Sequence, residues 1–336
     1  MFKSNRIVVG LLCIMLAFIV IACQEKTVDT YVEEEESSLI TVGFSQPGAE
    51  SAWRVALTDS VKENFTEERG YKLIYKDGRS KQDNQIKDIR TFIQQGVDYI
   101  VISPIVETGW DTVLSEAKDA GIPVIICDRN VVVENESLYK AFVGSDFKAE
   151  GEYAVSNLEK QLKKEADDGQ LNIVHIQGTI GSSAQLGRTR ALEEGLEKHP
   201  NWKIVAQDCG EFTKAKGREI MAKALEELGE ENIDVVYCEN DEEAYGAISA
   251  MIEAGAKYGD DGIKVVSFDA MNSALVLCMN GYISVEVECN PLQGPYIYNL
   301  INRLEKGNVV PKITYVHEEC FTPDNLTPEI IERRRF

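Results

Sequence analysis

Most of the short apolar segments of this sequence are followed by side chains that form directional hydrogen bonds or offer a flat ring. These residues are Gln46, Asp128, Arg129, Phe212, Asn240, Asp269 and Glu288, with Arg188 on the helix predicted after one of the segments. Carboxylate, amide and guanidinium groups can bridge neighbouring hydroxyl groups, and aromatic rings can cover an apolar C–H face. The set therefore predicts a site for a neutral, polyhydroxylated small molecule. The alternative for any single member is a helix cap or a turn residue.

Residues for acid–base or nucleophilic catalysis are scarce. The sequence contains only three histidines, His175, His199 and His317, and no serine or cysteine stands in a recognisable nucleophile motif. His175 lies in an apolar segment, where a histidine is more often a hydrogen-bonded core residue. Residues 178–181 superficially suggest a phosphate loop, but they lack the lysine and third glycine of such fingerprints and predict a tight turn. We therefore expect a binding protein rather than an enzyme, with no cofactor and no metal ion.

Two series of short apolar, β-branched segments alternate with helical stretches and must position these side chains. The predicted strands are residues 39–44, 72–75, 99–103, 123–127 and 140–143, then 172–176, 202–206, 233–238, 263–268 and 283–288. Strands that are apolar nearly throughout are typical of parallel sheets covered on both faces. Between them, apolar residues recur at helical spacing, as at Ile86, Ile89, Phe92 and Ile93. The pattern predicts an α/β fold of two doubly wound lobes, which bind ligands beyond the carboxyl ends of the strands.

Three crossings between the lobes are predicted. A strand lacks an obvious following helix of its own series near residues 143–146 and again near 288–291, and a third crossing is expected near 312–315. The predicted N-terminal lobe is residues 39–143 with 291–312, and the predicted C-terminal lobe is residues 144–290 with 313–336. Polar strand-end residues would then come from both lobes, so we expect a ligand to bridge them and to stabilise a closed state.

The first 23 residues have the layout of an export signal. Lys3 and Arg6 precede an uncharged apolar segment, residues 7–22, which is too short to span a bilayer comfortably. Its end, Val20-Ile21-Ala22-Cys23, resembles the lipobox of bacterial lipoproteins, which implies that Cys23 becomes the acylated N-terminus. An uncleaved membrane anchor is the alternative. Residues 24–38 include four consecutive glutamates and hardly an apolar residue, so they are predicted to be an acidic tether.

Charge and cysteine content narrow the function further. The chain has 35 basic and 56 acidic residues, a formal net charge of -21, which argues against nucleic acid or anionic membrane as the main ligand. Two of its eight cysteines lie in the leader and lipobox. The other six show no metal-binding spacing, and they are Cys127, Cys209, Cys238, Cys278, Cys289 and Cys320. Their pairing stays open, because export permits disulfides whereas several lie in apolar segments that suit a free thiol.

Ordered motifs over residues 39–322 resemble the ribose-binding class of periplasmic sugar receptors, and within it the galactofuranose-binding components of bacterial ABC importers. The motifs are Val42-Gly43-Phe44-Ser45-Gln46 with Glu50, Ser51, Trp53 and Arg54; Lys81-Gln82-Asp83-Asn84-Gln85-Ile86; Ser103-Pro104 with Thr108-Gly109-Trp110; Ile122-Pro123-Val124 with Asp128-Arg129; Gln177-Gly178-Thr179 with Arg188; Phe212-Thr213-Lys214-Ala215-Lys216-Gly217; Asn240-Asp241; and Phe268-Asp269. The segment Val287-Glu288-Cys289-Asn290-Pro291 departs from the galactofuranose-binding pattern.

The resemblance implies which residues contact a sugar. Five of them would hydrogen-bond it, namely Asp128, Arg129, Arg188, Asn240 and Asp269, while Phe212 would stack against it. Glu50, Trp53 and Arg54 look like the group that adapts the pocket to this subfamily. Trp110 is similar in position to a subfamily tryptophan, and it either contacts the pocket or packs between loops.

The resemblance also implies a periplasmic-binding-protein type I fold, with two lobes joined by a three-segment hinge. It implies a monomeric, lipid-anchored substrate-binding protein that delivers a monosaccharide to the membrane permease of an ABC importer. Galactofuranose is the first expectation for the sugar, followed by arabinose, ribose and galactopyranose. The alternative is a sensor that presents its closed state to a membrane kinase or chemoreceptor, and neighbouring genes would distinguish the two.

Overall fold

The computed structural model describes residues 39–164 and 170–336. The predicted export signal, the acylated Cys23 and the acidic tether lie outside the described residues. The first of two sheets contains five strands from the N-terminal part of the described chain and one from its C-terminal part, all of them parallel. Its strands are Ile40–Gln46 (β1), Tyr71–Asp77 (β2), Tyr99–Ile102 (β3), Val124–Asp128 (β4), Ala141–Gly144 (β5) and Ile313–Tyr315 (β11). Their order in the sheet is β11-β5-β4-β3-β1-β2, which is the doubly wound arrangement expected from the sequence.

The second sheet repeats this arrangement with one antiparallel edge strand. Its strands are Leu171–Gln177 (β6), Trp202–Cys209 (β7), Val235–Cys238 (β8), Lys264–Asp269 (β9), Val285–Glu288 (β10) and Cys320–Phe321 (β12). Their order is β12-β10-β9-β8-β6-β7, and β12 pairs antiparallel to β10. All ten predicted strands are therefore present, and β11 and β12 are additional.

Strand residues alternate between two separate apolar cores. In β3 and β4 of the first sheet, Val101 and Ile125 belong to one buried cluster, whereas Ile100 and Ile126 belong to another. Successive side chains of a strand point to opposite faces, so a strand that is apolar throughout must be covered on both sides. This burial explains why these segments contain almost no polar residue before their last positions.

Ten helices of the described residues cover the sheets. Those of the first lobe are Ala52–Asn64 (α1), Gln82–Gln95 (α2), Asp111–Asp119 (α3) and Gly294–Glu305 (α9). Those of the second lobe are Phe147–Lys164 (α4), Ser183–Lys198 (α5), Lys214–Leu228 (α6), Asp241–Ala254 (α7), Asn272–Met279 (α8) and Pro328–Glu332 (α10). Within residues 39–164 and 170–336, no helix has the length and apolar character needed to cross a bilayer.

Three connections carry the chain between the lobes. They run from β5 to α4, from β10 to α9 and from β11 to β12. The predicted boundary after residue 312 is too early, because Ile313–Tyr315 pairs with β5 of the first sheet, with Thr314 opposite Val143. This strand is short and mostly exposed, so it lacks the apolar run by which the other strands are found.

Candidate functional site

Residues from both lobes surround a small cavity at the carboxyl ends of the strands. Nine of the twelve predicted ligand-binding residues line it, and they are Glu50, Trp53, Arg54, Asp128, Arg129, Arg188, Phe212, Asn240 and Asp269. Four further residues complete the wall: Ser51, Phe147, Ala184 and Cys289.

A buried ion-pair network forms the wall contributed by the first lobe. Helix α1 begins beside the cavity because Ser51 caps it, its side chain accepting a hydrogen bond from the Arg54 backbone N–H at 3.1 Å. The Arg54 guanidinium donates to Glu50 at 3.0 Å and to Asp128, and the Ser103 hydroxyl donates to Asp128 at 2.7 Å. Burial lowers the pKa of Arg54, but the charges of Asp128 and Glu50 outweigh it and raise this pKa. These groups are therefore fixed before any ligand arrives.

Arg129 has far fewer protein partners than Arg54. Its guanidinium donates one hydrogen bond of 3.3 Å to the Ile105 carbonyl, and its nitrogens lie 3.9 Å from Glu50 and 4.0 Å from Asp128. Burial, helped by the neighbouring positive charge of Arg54, lowers the pKa of Arg129 to about 10, so it stays charged near neutral pH. The ring centroid of Phe212, from the opposite lobe, lies 5.1 Å from this guanidinium. Arg129 therefore has N–H groups available for a ligand.

Arg188 is the corresponding cation of the second lobe and is held more rigidly. Its Nε and Nη2 contact one oxygen of Glu150 at 2.8 and 2.7 Å, and Nη1 donates to the Glu239 carbonyl. The rings of Phe147 and Phe268 lie 5.3 and 4.6 Å from the guanidinium. Burial opposes the charged form, but the Glu150 carboxylate outweighs it and raises the pKa of Arg188. Glu150 thus fixes the orientation of Arg188 from outside the cavity.

Trp53 occupies the part of the cavity nearest the second crossing. Its indole N–H donates to the Cys289 carbonyl at 2.6 Å, and the Arg54 guanidinium lies 4.8 Å from its ring centroid. Both neighbours restrain the ring. Trp53 therefore offers a fixed aromatic surface for an apolar ligand face.

Phe212 and Asn240 adjoin each other on the second lobe. The Phe212 backbone has a positive φ of 60°, and its N–H donates to Glu243 at 2.8 Å. Gly178 lies against the Phe212 ring, and a Cβ atom there would overlap it. The Asn240 side chain donates to the Phe212 carbonyl at 3.3 Å and caps α7 by accepting from the Glu243 N–H at 2.9 Å. Asn240 is thus both a helix cap and a cavity residue.

Asp269 ends β9 with a positive φ of 109°, and its carboxylate lies 3.9 Å from Arg188. Burial, together with the negative charge of Asp241, raises the pKa of Asp269 despite Arg188. Asp241 lies deeper, where it accepts hydrogen bonds from Ser267 at 2.6 Å and from a backbone N–H, and burial raises its pKa to about 7. A buried carboxyl whose pKa is raised can donate as well as accept a hydrogen bond.

A hydrogen-bonded carboxyl cluster connects this site to all three crossings. Glu318 of the third crossing accepts from Ser145 of the first at 2.5 Å and from the Asn290 N–H of the second at 2.8 Å. Ligand atoms of Glu150, Cys289 and Glu318 lie within 4.8 Å of one another, a spacing compatible with a cation site. Burial, together with the negative charge of Glu150, raises the pKa of Glu318 to about 9, so Glu318 holds a proton near neutral pH. We interpret the cluster as a set of hydrogen bonds that links the three crossings.

The structure does not bring Gln46 and Trp110 into the cavity. The Gln46 side chain is buried behind α1, where it donates to Thr58 and to the Gly48 carbonyl. Trp110 is fully buried in the core under α2 and α3, and its indole N–H donates to the Val106 carbonyl at 2.7 Å. Trp110 therefore packs in the first-lobe core and does not line the cavity.

Glu288 also lies outside the cavity. Its carboxylate pairs with Arg334 of the C-terminal segment at 2.7 Å and accepts from the Glu319 N–H at 3.1 Å. These contacts direct it toward the third crossing, so the residue that lines the cavity at this strand end is Cys289. The neighbours of Glu288, Val287 and Cys289, are both buried, so burial alone does not distinguish them. The only sequence feature that marks Cys289 is its position in the predicted second crossing.

Charges around the cavity are balanced. Arg54 and Arg129 face Glu50 and Asp128, and Arg188 is paired with Glu150. Three guanidinium groups therefore have three carboxylate partners even when Asp269 holds a proton. An anionic ligand would find no uncompensated positive charge, whereas a neutral molecule with several hydroxyl groups could bond to both signs.

Known proteins resemble this chain over most of its length. A family model for the periplasmic binding protein domain matches residues 42–308. The galactofuranose-binding protein YtfQ of Escherichia coli K12 is 38% identical over 297 residues, which are 88% of this chain and 92% of YtfQ.

Two solved structures share this fold at similar identity. A Mycobacterium smegmatis protein in complex with β-D-fucofuranose is 42% identical, with a TM-score of 0.80 over 85% of this chain and 92% of its own. The periplasmic binding protein of an arabinose ABC transporter from Shewanella sp. ANA-3, bound to α- and β-L-arabinofuranose, is 40% identical, with a TM-score of 0.81 over 88% of this chain and 95% of its own.

Proposed function

The chain belongs to the periplasmic binding protein family, whose model covers most of it, and from this premise we propose that it carries a furanose-type monosaccharide to the permease of an ABC importer. As a member of this family it is an exported solute-binding protein and not an enzyme. Sugar binding is supported by relatives whose names or bound ligands are sugars.

The observation that carries the proposal is the pairing of charges around a small cavity. Carboxylate and guanidinium groups that are already ion-paired can form hydrogen bonds with adjacent sugar hydroxyl groups. The carboxylates accept these bonds and the guanidinium groups donate them, and the net charge of the site does not change. Leaving one such buried partner unsatisfied costs about 1 to 3 kcal/mol, so the arrangement gives selectivity as well as affinity. We propose that Arg129, Arg188, Asp128, Asn240 and Asp269 bond the sugar.

The ring form is inferred from the first-lobe wall and from the relatives. We propose that Glu50, Trp53 and Arg54 select a five-membered ring. The three relatives described above carry galactofuranose, fucofuranose or arabinofuranose in their names or as bound ligands. Galactofuranose remains the first candidate, and arabinofuranose is a close second.

Calorimetry with D-galactose, L-arabinose, D-fucose and D-ribose tests the ligand class, with galactose 6-phosphate as the anionic counterpart. We expect one sugar per protein and no binding of the phosphate. Carbon-13 NMR with the best sugar labelled at C1 then reports the bound ring form, because furanose and pyranose anomeric carbons resonate apart. A pyranose signal would overturn the ring assignment, and the absence of any heat with sugars would overturn the function.

Lipid anchoring is a separate proposal that rests on residues 1–23. We propose that the protein is a monomer, that Cys23 is acylated, and that residues 24–38 tether its two lobes to the outer face of the membrane. Mass spectrometry of the N-terminal peptide from membranes should find a lipid-modified Cys23, and Cys23→Ala should release the protein into the soluble fraction. An unmodified, uncleaved leader would instead support a membrane anchor.

Delivery to a permease is favoured over sensing because one similar structure belongs to an arabinose ABC transporter. Co-purification of the sugar-loaded protein from its host should recover a permease. Recovery of a histidine kinase in its place would favour the sensor.

A further inference from the structure

Loops of the two lobes meet outside the cavity. The Glu107 backbone N–H, in the loop after β3, donates to the Gly181 carbonyl in the loop after β6 at 2.9 Å. The Asn130 backbone N–H, in the loop after β4, donates to the Ser183 hydroxyl at 2.9 Å. These four residues are not among those that line the cavity. The two hydrogen bonds therefore join the lobes without involving any residue that lines the cavity.

The first-lobe side of this contact is internally braced. The Val132 N–H donates to the Glu107 carbonyl at 2.7 Å, which ties the loop after β4 to the loop after β3. The buried Trp110 donates to the Val106 carbonyl at 2.7 Å and so anchors the same loop to the core. The donors of both interlobe bonds are thus held in place by their own lobe.

The second-lobe side is braced at the start of α5. Gly181 has a φ of +81°, a conformation that favours glycine, and its N–H donates to the Gln185 side chain at 3.0 Å. Ser182 caps α5, and Ser183 is its first residue and is 8% exposed. The two acceptors therefore have fixed positions relative to Arg188 on the same helix.

We propose that Glu107, Asn130, Gly181 and Ser183 form a latch that stabilises the closed state and sets how long a sugar is retained. This proposal rests on the proposed function. When the lobes separate, all four groups exchange their partners for water, so the bonds contribute only to the closed state. Because none of the four residues lines the cavity, the latch should scale the affinity for every sugar by one factor and leave selectivity unchanged.

Ser183→Ala removes one latch bond and tests the proposal. A neutral hydrogen bond is worth about 0.5 to 1.5 kcal/mol, so we expect roughly two- to tenfold weaker binding, seen mainly as faster sugar release in stopped-flow measurements. The factor should be equal for two sugars of different affinity, and the melting temperature without sugar should not change. The matched control is Ser249→Ala, whose hydroxyl donates to the Tyr245 carbonyl within α7, and it should bind as the wild type does.

An unchanged release rate in Ser183→Ala, with normal binding by the wild type, would overturn the latch and leave the function intact. A factor that differs between the two sugars would also overturn it, because it would indicate direct contact with the ligand. Failure of the wild type to bind any sugar would instead defeat the proposed function.

A cross-link tests whether the loops meet only on closure. A Cβ atom at Gly181 would lie 4.0 Å from the Val106 Cβ, within the range of disulfides, about 3.5 to 4.5 Å. Saturating sugar should therefore speed disulfide formation in Val106→Cys/Gly181→Cys severalfold, and the reductant dithiothreitol should reverse it. Each single variant controls for the native thiols, and Gly181→Cys alone must melt as the wild type does without sugar, because its φ of +81° disfavours a side chain. Equal rates with and without sugar would overturn the proposal, because the loops would then meet in the open state as well.

Discussion

Replacing Arg129 with alanine removes the guanidinium that has the weakest protein contacts in the cavity, so its loss should fall mainly on the sugar. Its hydrogen bond to Ile105 measures 3.3 Å and its carboxylate neighbours lie 3.9 and 4.0 Å away. Glu50 and Asp128 keep Arg54 as their partner in the variant. The sugar-free protein should therefore still unfold in one cooperative transition.

The magnitude follows from two contacts of Arg129 in the closed state, one with the sugar and one with the opposite lobe. A hydrogen bond from a charged group contributes about 1.5 to 3 kcal/mol. The Phe212 ring of the opposite lobe, 5.1 Å from the guanidinium, adds about 0.5 to 1 kcal/mol as a cation–π contact. Together they predict a loss of about 2 to 4 kcal/mol, which is roughly 30- to 1,000-fold in the dissociation constant.

Calorimetry with the best sugar measures this change, and thermal unfolding without sugar checks the fold. Arg129→Lys keeps the charge but not the planar fork, so it should recover only part of the affinity. Arg90→Ala is the matched control, since Arg90 forms an exposed pair with Glu116 at 2.8 Å far from the cavity. Affinity within threefold of the wild type in Arg129→Ala would refute the assignment of Arg129 to the site.

Three further predictions concern residues behind the cavity. Glu150→Gln removes the charge that balances the buried Arg188, so it should lower the free energy of unfolding by about 1 to 3 kcal/mol in urea and weaken sugar binding in calorimetry. Trp110→Ala leaves a hole in the first-lobe core and should cost about 3 to 5 kcal/mol in the same unfolding assay. Burial raises the pKa of Glu318 from 4.5 to about 9, so the folded state holds a proton that the unfolded state releases. Stability should therefore fall as the pH rises through this window, and Glu318→Gln should flatten the decline.

Each of these has a clear contrary outcome. Equal stability of Glu150→Gln and wild type would mean that Arg188 does not need its partner. A Trp110→Ala variant with native stability would contradict its place in the core. For Glu318, urea unfolding at several pH values between about 5 and 9 should give a smaller slope in the glutamine variant than in the wild type, and identical slopes would assign the pH dependence to Asp241 and its neighbours.

Most of the fold could be predicted because its strands are buried on both faces. A strand such as Val124–Asp128 is apolar until its last residue, and that signal does not depend on its neighbours. Strand β11 has no such signal, because Ile313 and Tyr315 are exposed and only their backbone pairs with β5. The lobe boundary near it was misplaced for this reason.

The site could be predicted to the extent that its residues end strands. Asp128 and Asp269 are the last residues of β4 and β9, and Asn240 directly precedes α7. Phe147 and Cys289 were not predicted because Phe147 directly follows the first crossing and Cys289 lies within the second. At a crossing the course of the chain, and not a local pattern, decides which side chain lines the cavity. Gln46 was misassigned because α1 covers the end of β1. The periodicity of apolar residues does not predict which helix packs over a strand end.

Measuring each variant with several sugars should distinguish residues that contact the sugar from residues that act only on closure. The affinity for a single sugar cannot distinguish them. A measured dissociation constant combines contacts with the sugar and the fraction of protein able to close. Variants of Ser183 change only the second quantity, so they should shift every sugar by one factor. Variants of Arg129 remove contacts that depend on where each hydroxyl lies, so their factor should differ between galactose and arabinose. Glu150 contacts Arg188 and also adjoins Glu318, so its glutamine variant should show both effects.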